Sequence, residues 1–347
     1  MHKMGLYIYS LMKDERRTVG ARIASAFLLV LSWIYTGLLY CLYFLRGIKI
    51  LKSYSVLPKV ISVGNITLGG TGKTPFAIFI AEHIKFMGKK VAVLHRGYGS
   101  DESYLIKEKL AGIPVIIGSD RVRNALKAQN ELDVDCVILD DGFQHYRLKR
   151  DLDILLIDAT NPFGNYRIFP RGILREPIGR LKQADLIILT KSDMGRDKLD
   201  SIKGLLESYN DKAVIAESYY EPVGIQSLFL KENMPLSYIP HKRIAVLCGI
   251  GNPGYFSWMV QKLGASIYER FFYSDHYNFK DGDIAHICDM CGQKGIEAII
   301  TTEKDAVKLR RFRELFGSLE IFALRVVLRI NKNEEKVIGR IHSICHS

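Results

Sequence analysis

The run Gly64-Asn65-Ile66-Thr67-Leu68-Gly69-Gly70-Thr71-Gly72-Lys73-Thr74 follows the apolar stretch Val60-Ile61-Ser62-Val63 and ends Gly-Lys-Thr. These residue types suit phosphate chemistry. Backbone N–H groups from Gly69, Gly70, Thr71 and Gly72 can wrap phosphate oxygens, the Lys73 ammonium reaches the outer phosphates, and the Thr74 hydroxyl ligates Mg²⁺. The spacing departs from GxxxxGK[ST] at one point, because Thr67 stands where glycine is usual. A second group, Asp140-Asp141, closes the apolar run Val137-Ile138-Leu139 and supplies carboxylates of the kind that support Mg²⁺ beside such a loop. Acids at a strand end also serve as caps, but here Gly142-Phe143-Gln144-His145 continues the run and adds polar groups at the same edge. Two further segments combine carboxylates with imidazoles: His95-Arg96-Gly97-Tyr98-Gly99-Ser100-Asp101-Glu102 and Asp275-His276-Tyr277-Asn278-Phe279.

The elements that must carry these groups are legible as strand, loop, helix, strand. A helix is expected over 76–87, with Pro75 near its first turn, and the strand Val91-Ala92-Val93-Leu94 follows the stop at 88–90. That βαβ unit places an anion site at a helix N-terminus. Further short apolar runs, Val115-Ile116-Ile117, Ile154-Leu155-Leu156-Ile157 and Leu186-Ile187-Ile188-Leu189, are typical of a parallel sheet covered on both faces. The expected fold is α/β, a P-loop NTPase-type doubly wound parallel sheet over 54–217. Pro222, Pro235 and Pro240 mark a connector, 218–243, with room for paired strands. A second alternation, Ile244-Ala245-Val246-Leu247 into Cys248-Gly249-Ile250-Gly251-Asn252-Pro253 and later Ala298-Ile299-Ile300, predicts a smaller α/β domain over 244–347 that closes over the site.

With 347 residues, 48% apolar and 25% charged, the chain is globular and long enough for two domains. Six scattered cysteines give no disulfide framework and favour a reducing compartment. His286, Cys288 and Cys291 have no second cysteine pair beside them and read as helix packing rather than a metal site. The net charge of +12 is uneven: residues 1–60 hold nine Lys/Arg against two acids, so 9 − 2 = +7 lies in that segment. Residues 23–45 carry no charge and are rich in Leu, Ile, Phe and Tyr, with Trp33 among them. Basic residues flank both ends, so charge assigns no orientation. The preferred reading of 1–53 is a membrane-associated helix or helical hairpin lying in one leaflet, its flanks on anionic headgroups. A full span comes second and a buried core helix third. No nucleic-acid module is visible.

The chain resembles the tetraacyldisaccharide 4′-kinases of lipid A biosynthesis over residues 53–308. The resemblance rests on SVGNITLGGTGKTP, HRGYG, DDGFQHYRLKRDLDILLIDATNPFGN, FPRGILREP with LKQAD after it, CGIGNP, SDHYNF and TTEKDAVKL. It implies transfer of the γ-phosphate of ATP to the 4′-hydroxyl of a disaccharide 1-phosphate with four acyl chains, an anionic glycolipid, at the cytoplasmic leaflet of a Gram-negative-type bacterial inner membrane. It further implies that Lys73 holds the transferring phosphates, that Thr74 and Asp140 or Asp141 serve Mg²⁺, and that Arg121 acts on phosphate. By the same resemblance Asp101 is the base, oriented by His276 from the second domain. Glu102, Gln144 and His145 then line the substrate side, and Arg171 and Arg175 suit the acceptor's 1-phosphate. Where the family usually carries a longer insertion before Asp-Glu, this chain passes from Gly99 through Ser100 straight to Asp101.

Two rival readings remain at this level. Thr190-Lys191-Ser192-Asp193 looks like the guanine-reading [NT]KxD element of GTPases, although a strand-end loop with Asp193 as a turn or cap residue explains it better. A membrane-tethered scaffold using ATP only to hold its shape would need fewer polar residues along the sheet edge than this chain has.

Overall fold

The computed structural model describes residues 7, 8, 10–12, 14, 16, 18–97, 106–230, 232–240 and 242–346. The strands, in chain order, are β1 (Lys59–Gly64), β2 (Val91–His95), β3 (Val115–Ile117), β4 (Cys136–Asp140), β5 (Leu152–Asp158), β6 (Leu186–Thr190), β7 (Val214–Ser227), β8 (Asn233–Met234), β9 (Arg243–Cys248), β10 (Ser266–Phe272), β11 (Ala298–Thr302) and β12 (Glu320–Lys332). The described chain divides into two compact units. One takes its residues from Met1–Arg96, Leu110–Tyr219 and Ile330–Ser347, the other from Gly97–Lys109 and Tyr220–Arg329.

In the first unit the strands lie in the order β3-β2-β4-β1-β5-β6-β7, the last through its N-terminal half. Every neighbouring pair is parallel. Four of these strands, β2, β4, β5 and β6, are buried along their whole length. Burial on both faces is why their sequences are continuous apolar runs with no alternation. The chain leaves β1 through the helix Lys73–Phe86, builds β2, β3 and β4 on one side, then returns to β1 and builds β5 and β6 on the other. Such a reversal of strand order opens a crevice at the carboxyl ends of the strands beside β1. Register makes this concrete: Val63 of β1 lies opposite Asp140 of β4 and Ile154 of β5.

The helix Val19–Gly47 also belongs to this unit. The Thr18 side chain caps it by accepting from the Ala21 N–H at 3.3 Å. At 29 residues it is about 43 Å long, more than the ~30 Å of a bilayer's hydrocarbon core. Only Ala21, Leu28 and Ser32 are buried, while Ile23, Phe27, Trp33, Ile34, Leu38 and Phe44 are exposed. A buried core helix, the third sequence reading, is thereby set aside. One face is fastened by polar contacts: Ser32 Oγ donates to the Ile168 carbonyl at 2.7 Å and Tyr35 OH to the Arg175 carbonyl at 3.2 Å.

In the second unit β10, β9, β11 and β12 are parallel neighbours, followed by the C-terminal half of β7, which pairs antiparallel with β8. Alternate residues of β9 enter different cores: Ala245 and Leu247 pack with Phe279, Ile284 and Ile287, and Ile244 and Val246 with Tyr255, Phe256 and Val260. That is the period of two expected of a strand covered on both faces. Cys291 is buried in the first of these cores.

The units depart from the boundaries expected from sequence: Gly97–Lys109, expected in the first, groups with the second. Within the expected connector, β7 runs through Pro222 and pairs antiparallel with β8, the paired strands for which the sequence left room. The C-terminal helix Glu334–His346 packs with the first unit rather than the second, burying Val337, Ile341 and Cys345, with Cys345 Sγ 3.1 Å from Cys136 Sγ at the start of β4.

Candidate active site

The glycine-rich loop of the first unit leaves β1 at Gly64 and enters the helix Lys73–Phe86 at Gly72, whose φ of 88° is left-handed. Glycine reaches that region without the steric cost a Cβ would impose. Gly64 is required for a different reason: a Cβ there would lie 2.5 Å from Phe143 Cβ and 2.7 Å from Phe143 N. Thr67, the departure from the usual spacing, is buried and bridges antiparallel to Leu174. The Leu68 N–H donates to the Ile173 carbonyl and the Arg175 N–H to the Ile66 carbonyl, both at 2.7 Å, so the FPRGILREP segment is laced along the loop.

The fully buried Asn65 organises the loop from inside. Its Nδ2 donates to the Thr67 carbonyl at 2.8 Å, and its Oδ1 accepts from Lys73 Nζ at 3.3 Å and Arg175 Nη1 at 3.2 Å. Its own carbonyl accepts from Gln144 Nε2 at 2.7 Å. Asn65 lies within the SVGNITLGGTGKTP run but was given no role from sequence; its signal there is a polar side chain directly after a strand-ending glycine.

The two carboxylates at the end of β4 have separate surroundings. Asp140 is buried, and its Oδ2 accepts from Thr74 Oγ1 at 2.8 Å and lies 3.1 Å from His95 Nδ1. Among the described residues its Oδ1 is buried with no hydrogen-bond partner. Asp141, at a left-handed φ of 57°, turns instead toward Arg175 at 3.0 Å and Lys73 at 3.7 Å. Burial pushes its carboxyl up, but Lys73, Arg175 and Arg121 together outweigh that and hold it below the ordinary carboxylate value. Arg121 opens the helix Arg121–Leu132, is buried, and donates to the Asp140 carbonyl at 2.7 Å. Burial, followed by the charges of Arg121, Arg147 and Arg150, lowers the His145 imidazole to about 4. It is therefore neutral at physiological pH.

A family model described as tetraacyldisaccharide-1-P 4′-kinase, LpxK, matches residues 24–344. The chain belongs to this family. The tetraacyldisaccharide 4′-kinase of Halothermothrix orenii is 36% identical, with 89% of each chain covered. That of Syntrophus aciditrophicus is 37% identical, covering 84% of this chain and 86% of its own. Among solved structures, an "apo" form of LpxK from Aquifex aeolicus in complex with ATP is similar at a TM-score of 0.70 and 27% identity, over 92% of this chain and 99% of that one.

Of the expected LpxK site residues, the first unit brings together Lys73, Thr74, Arg121, Asp140, Asp141, Gln144 and Arg175. Arg171 is placed differently. Its guanidinium donates to the Leu11 carbonyl at 3.0 Å and pairs with Asp14, and its N–H donates to Ser32 Oγ at 2.9 Å. It therefore secures the N-terminal segment. Asp101 and Glu102 lie outside the described residues. In the second unit His276 has a left-handed φ of 59°, with its Nε2 3.8 Å from Asp275 and 3.4 Å from Lys304 Nζ, while Lys304 also pairs with Asp275 at 2.9 Å. His95 stood in a segment noted from sequence but had no role there; its contact with Asp140 assigns it one. Glu176 is buried, accepting from Tyr146 OH at 2.7 Å and from Arg180 Nε at 3.2 Å. The Tyr146 contact spans 30 positions, whereas Arg180 lies four residues from Glu176.

Proposed function

We propose that the chain transfers the γ-phosphate of ATP to the 4′-hydroxyl of tetraacyldisaccharide 1-phosphate, with the loop of the first unit as the nucleotide cradle. The observation that carries this reading, beside family membership, is the coupling of Thr74 to Asp140 directly behind Lys73. Lys73 binds the transferring phosphates and Arg121 adds positive charge at the same edge, which stabilises the equatorial oxygens in the transition state. Gln144 keeps the loop in register through Asn65, and the neutral His145 faces substrate. Arg175 and Asp141 flank the lysine, and Arg175 is assigned to the acceptor's phosphate.

The donor set at Asp140 fits Mg²⁺. Asp140 and Thr74 offer hard oxygen ligands, and the unpartnered, buried Oδ1 of Asp140 is an oxygen that needs a cation. Among the described residues no group of three or more His, Cys, Asp or Glu could hold a metal. A cation that shares its coordination with substrate phosphates needs no such group. When bound there, Mg²⁺ would supply charge neutralisation to the nucleotide's phosphate oxygens.

We assign general-base action to Asp101, with His276 as its orienting partner and Glu102 beside it. The 4′-oxygen forms its bond to the γ-phosphorus, the bond to the β–γ bridging oxygen breaks, ADP leaves, and the hydroxyl proton passes to the Asp101 carboxylate. The helix Val19–Gly47 associates with the cytoplasmic face of the inner membrane and keeps the cradle near an acceptor whose acyl chains stay in lipid. Its exposed apolar face, opposite the contacts of Ser32 and Tyr35, favours lying in one leaflet over spanning.

The test is to incubate the full chain with γ-labelled ATP, Mg²⁺ and tetraacyldisaccharide 1-phosphate in detergent micelles. Label in the lipid that disappears with Lys73→Ala is expected. Absence of label from the wild-type reaction overturns the reading.

A further inference from the structure

The Thr190-Lys191-Ser192-Asp193 motif has no part in the function proposed above, yet its first two side chains reach the glycine-rich loop. Lys191 is 4% exposed, and a buried ammonium is tolerated only where partners replace water. Those partners are specific. Lys191 Nζ donates to the Gly70 carbonyl at 2.6 Å and pairs with the Asp158 carboxylate. Asp158 is itself fixed through Oδ1 by the Thr160 N–H at 3.0 Å and the Thr160 hydroxyl at 2.6 Å. Next along β6, Thr190 Oγ1 donates to the Thr71 carbonyl at 3.0 Å. Two consecutive loop carbonyls are thus taken from the sheet side. In a planar trans peptide the C=O and the following N–H point in opposite directions, so holding the Thr71 carbonyl turns the Gly72 N–H away from β6. Gly72 is the N-cap of the helix Lys73–Phe86, where N–H groups have no intrahelical acceptor and serve anions. Lys191 also sits at a left-handed φ of 57°, a conformation unfavourable for a non-glycine residue that persists where its surroundings enforce it.

We propose that Thr190 and Lys191, with Asp158 as counter-ion, are positioning residues that brace the phosphate-binding loop and set the direction of its donor peptides. This rests on the reading of that loop as a nucleotide cradle. The lysine of the motif is then committed to the loop rather than to a guanine ring. Asp158 neutralises the Lys191 charge, which leaves phosphate contact to Lys73. Burial lowers the Lys191 ammonium most, with Lys73 adding to that and Asp158 opposing it.

The test measures binding of a fluorescent ATP analogue to the full chain in detergent micelles, alongside KM for ATP and for the acceptor. Thr190→Val and the charge-neutral double variant Asp158→Asn/Lys191→Met are expected to weaken the analogue about ten-fold and raise KM for ATP similarly, with acceptor KM unchanged. Thr190→Ser, which keeps the hydroxyl, is expected to match wild type. An analogue affinity within about two-fold of wild type in Thr190→Val overturns the brace, as does an equal rise in both KM values. Should the double variant not fold, Thr190→Val and Thr190→Ser decide alone. A wild type that binds the analogue but never phosphorylates acceptor sinks the kinase reading and leaves the binding comparison to judge the brace.

Discussion

Gly64→Ala isolates the point where β1, the loop and the carboxylates of β4 meet. The added Cβ would stand 2.5 Å from Phe143 Cβ, whereas carbon atoms pack at about 3.5–4.0 Å, so one side must retreat by about 1 Å. Phe143 offers no flexible tip to move, because the clash is with its Cβ and backbone, and its side chain is fully buried. The retreat also stretches the hydrogen bond from the Gly142 N–H to the Val63 carbonyl, now 3.0 Å. Overpacking of about 1–3 kcal/mol plus a weakened hydrogen bond of about 1 kcal/mol gives a loss of roughly 2–4 kcal/mol. A chain with about 5–15 kcal/mol to spare still folds after that loss. Catalysis suffers more than stability, since a shift of about 1 Å between Asp140 and Thr74 is of the size that costs about 100-fold in rate. The assay pairs urea denaturation with turnover at saturating ATP and acceptor. Gly204→Ala is the control: it lies in the helix Leu199–Tyr209, an added Cβ there would meet nothing within 4 Å, and the change should be neutral or stabilising by about 0.5–1 kcal/mol. Turnover and midpoint of Gly64→Ala equal to wild type would refute the claim that this close approach sets the site.

Three other outcomes are expected. Thr74→Val removes the hydroxyl that donates to Asp140, and a lost hydrogen bond to a charged group of about 1.5–3 kcal/mol lowers turnover by about 10–100-fold, measured by ATP titration. Asp140→Asn should raise the Mg²⁺ concentration for half-maximal rate by about ten-fold or more, read from a metal titration at fixed ATP; an unchanged curve removes Asp140 from the metal site. His145 has an ordinary value of 6.5 and is lowered to about 4 in the fold. The unfolded chain therefore takes up a proton between those values while the folded chain does not, and stability falls as pH drops from 6.5 toward 4. Thermal melts across that window should slope less for His145→Asn than for wild type, and parallel slopes would count against the assignment.

The order of elements from β1 to β6 and the phosphate-binding character of Gly69–Thr74 were legible because both depend on neighbours in sequence. Buried parallel strands write themselves as apolar runs, and a Gly-Lys-Thr ending after such a run carries its chemistry in contiguous backbone. The helix expected at 76–87 in fact begins at Lys73, since its first turn is built from the loop's own last residues and has no side-chain cap to announce it. The second alternation of strands was visible for the same local reason. The place of the C-terminal helix was not, because Val337, Ile341 and Cys345 form an apolar stripe that fits either unit until packing chooses.

The site divides along the same line. Residue types at 73, 74, 140 and 141 identify themselves by motif, but which carboxylate meets Thr74 follows from the register of β4 on β1, a pairing between residues 77 positions apart at Val63 and Asp140. The contact of His95 with Asp140, the commitment of Arg171 to Leu11 and Asp14, and the reach of Lys191 to Gly70 arise from strand order and loop lacing. Sequence alone determined a nucleotide-binding α/β chain with an apolar, basic N-terminal segment. The tertiary structure alone decided the division of labour among its polar groups, because hydrogen bonds and ion pairs between distant residues exist only once the sheet has set their distances.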